Sequence, residues 1–539
     1  MTEKPANPQS VDERAAPRRL KGWPLVLAVL FLCGFAVRLY KITDAPLDYH
    51  PTRQYISANI VRGMYVPHLD TAPDWRRTVA RINGEAEMHL EPRYMETIAA
   101  GLYRLTGGER LWLARGLGAL LWVVGAMLLL PLSRRFLDER WSVVVLLLYL
   151  FFPFGIIGSQ VFQPEPLMIT AMIAALLLIY RSFEHPSWRR VMAAAVVSSF
   201  AVSAKPVCIF FIVFSFVALA FVKKSILGSL REPKYWVFGV VAVCPSLVYY
   251  MHQMLGATDL GGQSDLSFRP ELILAGRFWW GWVDRLGRVV GLCPFAIGLA
   301  GALACRKREG RYFLGSLYVA YAVYGFVFTY HIHTHDYYSL PAIPVVALTA
   351  PLGLMAAARL LSICWQRNNL RKVLVALSAT AVVCLTLGAG GALVAKGPRK
   401  TCAFALKYGG RLVGLHRKFV LFADPRRSRK LSEIVGTMEK LGEALGHSTR
   451  VACLTEDYGK SVLYHAQISG PRLRPFASPE NLLEQCMAAA PNVDYIVVRL
   501  YDSPSAQGKL REELLVHYPI AFEAGDCIAF DVRDEKAAM

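Results

Sequence analysis

The sequence predicts an α-helical polytopic membrane protein with about 11 transmembrane helices and a small C-terminal extracytoplasmic α/β domain. Of its 539 residues, 54% are hydrophobic, a fraction above that of an average soluble domain. Apolar runs recur up to residue 394, and the composition then becomes that of a soluble domain. The formal net charge of +20 lies in short basic clusters between the apolar runs, so it does not indicate a nucleic-acid-binding protein.

Each transmembrane helix is predicted from an apolar run, because a hydrocarbon core of about 30 Å needs roughly 20 apolar residues. The candidate spans are 24–40, 111–132, 141–160, 166–180, 191–204, 206–222, 235–253, 289–304, 312–330, 339–361 and 373–394. We therefore expect a basic cytoplasmic tail at 1–22, a transmembrane domain at 23–395, and an α/β domain at 396–539.

The short loops set the orientation, because Lys and Arg are retained on the cytoplasmic side of a membrane. Basic clusters occupy alternate connections, at 14–21, 134–140, 181–190, 223–234, 306–311 and 367–372. The short connections between them hold almost no Lys or Arg. With an odd number of spans, we expect a cytoplasmic N-terminus and a C-terminal domain on the outer side of the membrane. The first span should remain as an anchor, since no A-x-A cleavage site follows it.

Two loops on the outer side are long. The first is 41–110, and its stretch Tyr55–Met64 has the amphipathic pattern of a helix at the membrane interface. The second contains the aromatic cluster Phe278–Trp282, which favours an aromatic belt at the headgroup level and leaves a sugar platform as the alternative.

The last part of the chain has mixed helix and strand patterns. Leu431–Leu445 follows helical spacing, and 449–455 and 493–500 read as short buried strands. A proline at 479 marks a helix start, and 520–532 resembles a hairpin. These patterns predict the small α/β domain.

The position of the acidic residues indicates chemistry at the membrane surface. The centres of the spans hold almost no ionisable groups, which disfavours a proton or ion relay. Asp44, Asp48, Glu85, Glu87 and Glu91 instead lie in the first long loop. P-loop and dinucleotide fingerprints are missing from the sequence. If the protein is a transferase that works outside the cytoplasm, we therefore expect the activated group to arrive on a membrane lipid rather than on a nucleotide.

Three motifs carry a resemblance to a known family. They are Asp48–Gln54 (DYHPTRQ), Lys205–Pro206 and His335–Pro341 (HDYYSLP). In their order along residues 20 to 395 they resemble bacterial polytopic glycosyltransferases of the GT-C fold, relatives of protein O-mannosyltransferases and of the lipid A aminoarabinose transferase. The resemblance implies inverting transfer of a sugar from a polyprenyl-phosphate carrier to an envelope glycan, lipid or protein acceptor on the periplasmic face.

The same resemblance implies a role for individual residues. Asp48 occupies the place of the family's catalytic base, and a carboxylate there can take the proton of an acceptor hydroxyl. The polyprenyl phosphate leaves as an anion and needs cations and hydrogen-bond donors around it. The candidates for this donor and phosphate binding are His50, Arg53, Lys205, His335 and Tyr337. Glu91 and Glu165 are candidates for binding the acceptor. Many relatives have two adjacent acids where this chain has Asp48-Tyr49, so a second acid comes from elsewhere or is not needed.

Structural interpretations compete with these roles. Asp48 could be an exposed loop acid, His50-Pro51 a simple helix start, and Lys205 a residue that snorkels to the surface. No cofactor is required by the sequence. A divalent metal is an alternative if His331, His333 and His335 lie in an extended segment, which would project all three to one side. At the level of the whole protein, the alternatives are a transporter or flippase of lipid-linked sugars and a non-catalytic envelope assembly protein.

Overall fold

The computed structural model describes residues 23–88, 91–255, 267–366, 411–414, 417–474, 479–500 and 504–534. The basic tail at 1–22 and the predicted span 373–394 lie outside the described residues.

Helices dominate the part of the chain before the C-terminal domain. The first group is α1 (Trp23–Leu39), α2 (Pro51–Tyr65), α3 (Asp74–Glu85), α4 (Tyr94–Thr106), α5 (Leu111–Ser133), α6 (Glu139–Phe151), α7 (Pro153–Ser159) and α8 (Glu165–Glu184). The second group is α9 (Trp188–Ala204), α10 (Cys208–Lys223), α11 (Ile226–Leu230), α12 (Pro233–Leu255), α13 (Gly276–Val289), α14 (Leu292–Leu303), α15 (Arg308–Val327), α16 (Thr329–Thr334) and α17 (Ala342–Gln366). A 3-10 turn at Asp336–Ser339 joins α16 to α17.

The predicted class of a multi-pass α-helical membrane protein is confirmed. Each predicted span up to 339–361 coincides with one of these helices or with a bent pair of them. Among the described residues, four helices are long and apolar enough to cross a membrane, or up to six if each bent pair is one span. The number of about 11 spans stays a prediction.

One bent pair shows how a break between helices is stabilised inside the bundle. The axes of α6 and α7 differ by 57°, and the break falls at Pro153, which cannot continue the hydrogen-bond ladder of α6. The buried guanidinium of Arg38 donates to the Leu150 carbonyl at 2.8 Å and to Ser159 Oγ at 2.6 Å. Arg38 thereby satisfies polar groups at the break, where apolar surroundings offer no water.

The aromatic cluster of the second long loop lies on α13. Phe278 and Trp282 are buried, whereas Trp279 and Trp280 are 45% and 65% exposed. The axis of α13 makes an angle of 88° with that of α14. Trp279 and Trp280 therefore point outward from this helix, and the aromatic belt stays a prediction.

The C-terminal domain has α/β architecture, as predicted. Its elements are α18 (Arg417–Ala423), α19 (Arg426–Leu445), β1 (Val451–Thr455), α20 (Lys460–Ala466), α21 (Pro479–Ala489), β2 (Tyr495–Arg499), α22 (Pro504–Leu515), β3 (Ile520–Ala524) and β4 (Cys527–Asp531). The sheet order is β1-β2-β4-β3, with β1 and β2 parallel and the other pairs antiparallel. Every residue of β1 and β2 is buried, because the sheet has apolar packing on both faces.

The domain packs onto the first long loop through a buried ionic cluster. Glu87, which follows α3, is fully buried and pairs with Lys460 at the start of α20 and with Arg472. Asn59 of α2 donates to the same carboxylate at 2.9 Å. Since an unpaired charge at such a depth would be costly, this cluster fixes α2 against the C-terminal domain.

Candidate active site

The first residues of the site lie at the start of α2, where the backbone is strained. His50 caps the helix in the left-handed conformation, with φ 45° and ψ 56°, which is uncommon for a residue with a side chain. Pro51 follows at the first helical position, which suits its fixed φ. Gln54 holds the turn by donating to the Tyr49 carbonyl at 2.6 Å. Strained backbone of this kind concentrates at functional sites.

A mostly buried cluster of two acids and two bases lies next to this turn. Nη2 of Arg53 donates to both oxygens of Glu91, at 3.0 and 3.1 Å. Lys205, between α9 and α10, pairs with the fully buried Glu165 and lies 4.0 Å from Glu91. Burial opposes the charge on Arg53 and on Lys205, but the surrounding carboxylates raise the pKa of each above its ordinary value. The two cations are therefore ionised and held in place.

Aromatic side chains from the 3-10 turn cover Lys205. Its ammonium lies 5.3 Å from the centre of the Tyr337 ring and 5.1 Å from that of Tyr338. Burial raises the pKa of the Tyr337 hydroxyl. Tyr337 is therefore a neutral hydrogen-bond donor beside a cation, as the binding of a phosphate requires.

Three histidines of this region, His50, His331 and His335, are neutral at pH 7. Burial, reinforced by His331 and His50, lowers the pKa of His335 to about 3. Burial also lowers the pKa of His331 to about 4 and that of His50 below its ordinary value. A neutral imidazole can donate or accept a hydrogen bond but supplies no charge. The positive charge of the site must then come from Arg53, Lys205 and other cations.

His50 belongs to a second ionic group. Its Nε2 lies 2.6 Å from Asp336 Oδ1, and Nε2–H donates to that carboxylate. The ammonium of Lys418, on α18, lies 3.3 Å from both His50 Nε2 and Asp336 Oδ2. The His50 ring also contacts Tyr337, with 4.6 Å between ring centres. His50 thereby connects this group to the aromatic side chains over Lys205.

Asp48 lies in a cleft beside these groups. Nε of Arg427, on α19, donates to Asp48 Oδ1 at 2.7 Å, and Nη2 donates to the same oxygen. The side chain of Asp48 is 22% exposed. Lys41, Tyr49 and Lys418 also line this cleft. A carboxylate in this position is accessible to a hydroxyl group that enters the cleft.

The structure brings most of the predicted site residues together. Arg53, Glu91, Glu165 and Lys205 are in direct contact, and Tyr337 joins that cluster to His50. The ring centres of His335 and Tyr337 are 5.5 Å apart. Asp48 faces the adjoining cleft and pairs with Arg427 rather than with a member of this cluster.

Three residues of the site were not predicted as such. No role was predicted for Asp336, and Lys418 and Arg427 lie in the part of the chain that was assigned to the C-terminal domain. The motif His335–Pro341 contains Asp336 and was the available signal for it. The sequence around Lys418 and Arg427 is generally basic, so it offered no specific signal.

The metal alternative required an extended segment that projects His331, His333 and His335 to one side, and the structure does not have this conformation. Thr329–Thr334 is helical, so His331 and His335 approach each other, with 5.5 Å between ring centres, while His333 contacts Phe278. Within the described ranges, no group of three His, Cys, Asp or Glu side chains is placed to hold a metal ion.

Comparisons with known proteins identify the fold. Residues 91–250 match the family model described as dolichyl-phosphate-mannose-protein mannosyltransferase, and no curated protein matches the chain. The structure is similar to that of ArnT from Cupriavidus metallidurans in the apo state, with a TM-score of 0.53, 13% sequence identity, and coverage of 95% of this chain and 98% of that chain. For the same protein bound to undecaprenyl phosphate, the TM-score is 0.54 at 13% identity and the same coverage.

An archaeal enzyme shows the same architecture. The oligosaccharyltransferase of Archaeoglobus fulgidus, tethered with an acceptor peptide containing the NVT sequon, has a TM-score of 0.51 at 12% identity, with 89% of this chain and 69% of that chain covered. The resemblance expected from the sequence is confirmed at the level of the fold. The chain therefore has the GT-C fold of polytopic membrane glycosyltransferases, with a match to the mannosyltransferase family model at residues 91–250.

Proposed function

We propose that the protein is an integral membrane glycosyltransferase. It moves a hexosyl or pentosyl group from a polyprenyl-phosphate carrier to an envelope glycan, lipid or protein acceptor on the periplasmic face of the inner membrane. The observation that carries this proposal is the cluster of Arg53, Lys205 and Tyr337, which His50 and Lys418 connect to the adjoining cleft that holds the Asp48 carboxylate. The match of 91–250 to a mannosyltransferase family and the ArnT structure bound to undecaprenyl phosphate support it.

The carrier phosphate is bound by Arg53, Lys205 and Tyr337. The guanidinium of Arg53 is a planar fork that matches phosphate geometry, and its two bonds to Glu91 keep that fork oriented. Lys205 adds a second positive charge, and the Tyr337 hydroxyl is a neutral donor. His50 and His335 contribute hydrogen bonds without charge, since burial holds both rings neutral. These groups stabilise the anion that forms when the sugar is transferred.

Asp48 acts as the general base. It takes the proton of the acceptor hydroxyl as the acceptor oxygen forms a bond to the anomeric carbon of the sugar. The bond between that carbon and the phosphate oxygen breaks, and its electron pair leaves with the polyprenyl phosphate. Attack from the face opposite the leaving group inverts the anomeric configuration.

Glu165 is the better of the two acceptor-binding candidates. Oε1 of Glu165 is taken by Lys205, whereas Oε2 is buried and has no hydrogen-bond partner among the described residues. Both oxygens of Glu91 instead accept from Arg53. A sugar or acceptor hydroxyl that donates to Glu165 Oε2 would satisfy this oxygen, which otherwise stays desolvated at a cost.

The test of the proposal is the Asp48→Asn variant, which removes the base and keeps the shape of the side chain. The donors are undecaprenyl-phosphate-linked hexoses and pentoses, and membranes of the bacterium that makes the protein supply the acceptor. With the wild-type protein we expect release of undecaprenyl phosphate. In the variant the rate should fall at least about 100-fold, with binding of undecaprenyl phosphate retained. Asp70→Asn, an exposed acid of the same loop, is the matched control. Full activity of Asp48→Asn would refute the assigned base.

The orientation requires a separate test. A cysteine placed at Tyr458, in the C-terminal domain, should react with an impermeant maleimide added to the periplasmic side, and a cysteine at Lys307 should not. The reverse labelling pattern would contradict the proposed topology.

A further inference from the structure

The partner of Asp48 comes from the C-terminal domain, 379 residues further along the chain. Arg427 lies in the first turn of α19. Its Nε and Nη2 both donate to Asp48 Oδ1. A guanidinium bonded twice to one carboxylate oxygen fixes the orientation of the carboxylate and leaves Oδ2 outside this ion pair.

The segment that carries Arg427 also contacts the loop that precedes Asp48. Ser428 Oγ donates to Asp44 Oδ2 at 2.6 Å. The ammonium of Lys41 donates to the carbonyl of Asp424, in the connection between α18 and α19. These two contacts flank Arg427 in the sequence and hold the start of α19 against residues 41–48.

The remainder of α19 anchors the arginine in a folded core. Leu431, Met438 and Leu441 are buried, and Met438 and Leu441 pack in the cluster that contains β1 and α20. The guanidinium is therefore presented by a helix of a folded domain. A side chain on such a support loses little conformational freedom when it positions a neighbour, which is how catalytic groups are kept in productive geometry.

We propose that Arg427 is a positioning residue for Asp48, so that the C-terminal domain completes the active site. This inference rests on the function proposed above. Arg427 occupies Oδ1, and Oδ2 accepts the proton of the acceptor hydroxyl. The C-terminal domain is then a part of the catalytic unit.

A merely structural role would have a different signature. If the ion pair only fastened the domain, loss of Arg427 would lower stability, and its effect on the rate would be independent of the side chain at position 48. If Arg427 acts through Asp48, the two substitutions must be coupled in a double-mutant cycle. The cycle uses Asp48→Glu, which keeps a carboxylate and displaces it by one methylene.

The experiment measures release of undecaprenyl phosphate from undecaprenyl-phosphate-linked hexoses and pentoses, with membranes of the producing bacterium as the acceptor source. We expect Arg427→Gln to lower kcat by about 10- to 100-fold and to leave KM for the donor within about twofold of the wild-type value. In the Asp48→Glu background the same substitution should cost less than about threefold. Arg429→Gln is the matched control, because Arg429 is exposed on the same helix and pairs with Glu433.

Each outcome decides one claim. If Arg427→Gln is as active as the wild type while Asp48→Asn is inactive, the positioning role is overturned and the proposed function stands. Fully multiplicative losses in the cycle would also overturn the positioning role. If Asp48→Asn keeps full activity, the proposed base fails first. Should Arg427→Gln fold poorly, Arg427→Lys keeps the charge and loses the second contact to Oδ1. An unchanged kcat in that variant would overturn the inference.

Discussion

Replacing Glu87 by Gln removes a carboxylate that the structure buries completely between two cations. Lys460 and Arg472 are 5% and 14% exposed at their side chains, and both would lose their charged partner. Burial lowers the pKa of Lys460 below its ordinary value even with Glu87 present. Breaking a buried ion pair by removing one partner costs about 3 to 5 kcal/mol. Since Arg472 keeps a bond to the Ala86 carbonyl, we expect the lower end, about 3 kcal/mol.

Amide hydrogen exchange measures this loss of stability at the contact between α2 and the C-terminal domain. If the free energy of local opening between α2 and α20 falls by about 3 kcal/mol, amide exchange through that opening becomes about 100-fold faster. Amides of α2 and α20 should therefore exchange faster in Glu87→Gln. Glu85→Gln, an exposed acid two residues earlier, is the control and should not change. Adding Lys460→Met should recover part of the protection. Exchange in Glu87→Gln within about twofold of the wild type would refute the reasoning.

Three further predictions concern pH and the ionic groups of the site. Burial lowers the pKa of His465 to about 3. Below about pH 6.5 the unfolded chain therefore binds a proton that the folded protein does not, and the free energy of unfolding decreases as the pH is lowered, by at most about 2 kcal/mol at pH 5. Thermal unfolding of His465→Gln should show a smaller decrease of stability with decreasing pH than the wild type, and an equal decrease would contradict this cause. Asp336→Asn removes the carboxylate bonded to His50 and should lower kcat by about 10-fold, whereas an unchanged rate would exclude a role for that pair. Arg53→Lys keeps the charge but loses the fork, so the affinity for undecaprenyl phosphate should fall by about 10-fold, and equal affinity would remove Arg53 from the phosphate site.

The sequence predicted the helices well because their signal is local. An apolar run of about 20 residues predicts a span wherever it occurs, and the buried strands at 451–455 and 495–499 followed from short apolar segments with turn residues around them. The alternation at His331–His335 left the local conformation open, because alternating residue types can also occupy a short helix, as His331 and His333 do. In that helix the His333 ring contacts Phe278 on α13, with 5.8 Å between the ring centres.

The site was predicted only in part because its contacts are not local. Arg53, Lys205 and Tyr337 were candidates since they stand in motifs next to predicted spans. Lys418 and Arg427 reach Asp336 and Asp48 across 82 and 379 residues, and periodicity and composition carry no signal for such pairings. The docking of the C-terminal domain onto the first long loop is the physical reason that these two cations belong to the site.

A structure of the protein bound to undecaprenyl phosphate, determined in a lipid nanodisc, is the most direct measurement of the central claim. We expect the phosphate to lie within hydrogen-bond distance of Arg53 or Lys205 and of the Tyr337 hydroxyl. It should lie on the same side of α2 as the opening of the Asp48 cleft. A phosphate bound away from these three residues, or separated from Asp48 by the body of α2, would contradict the account.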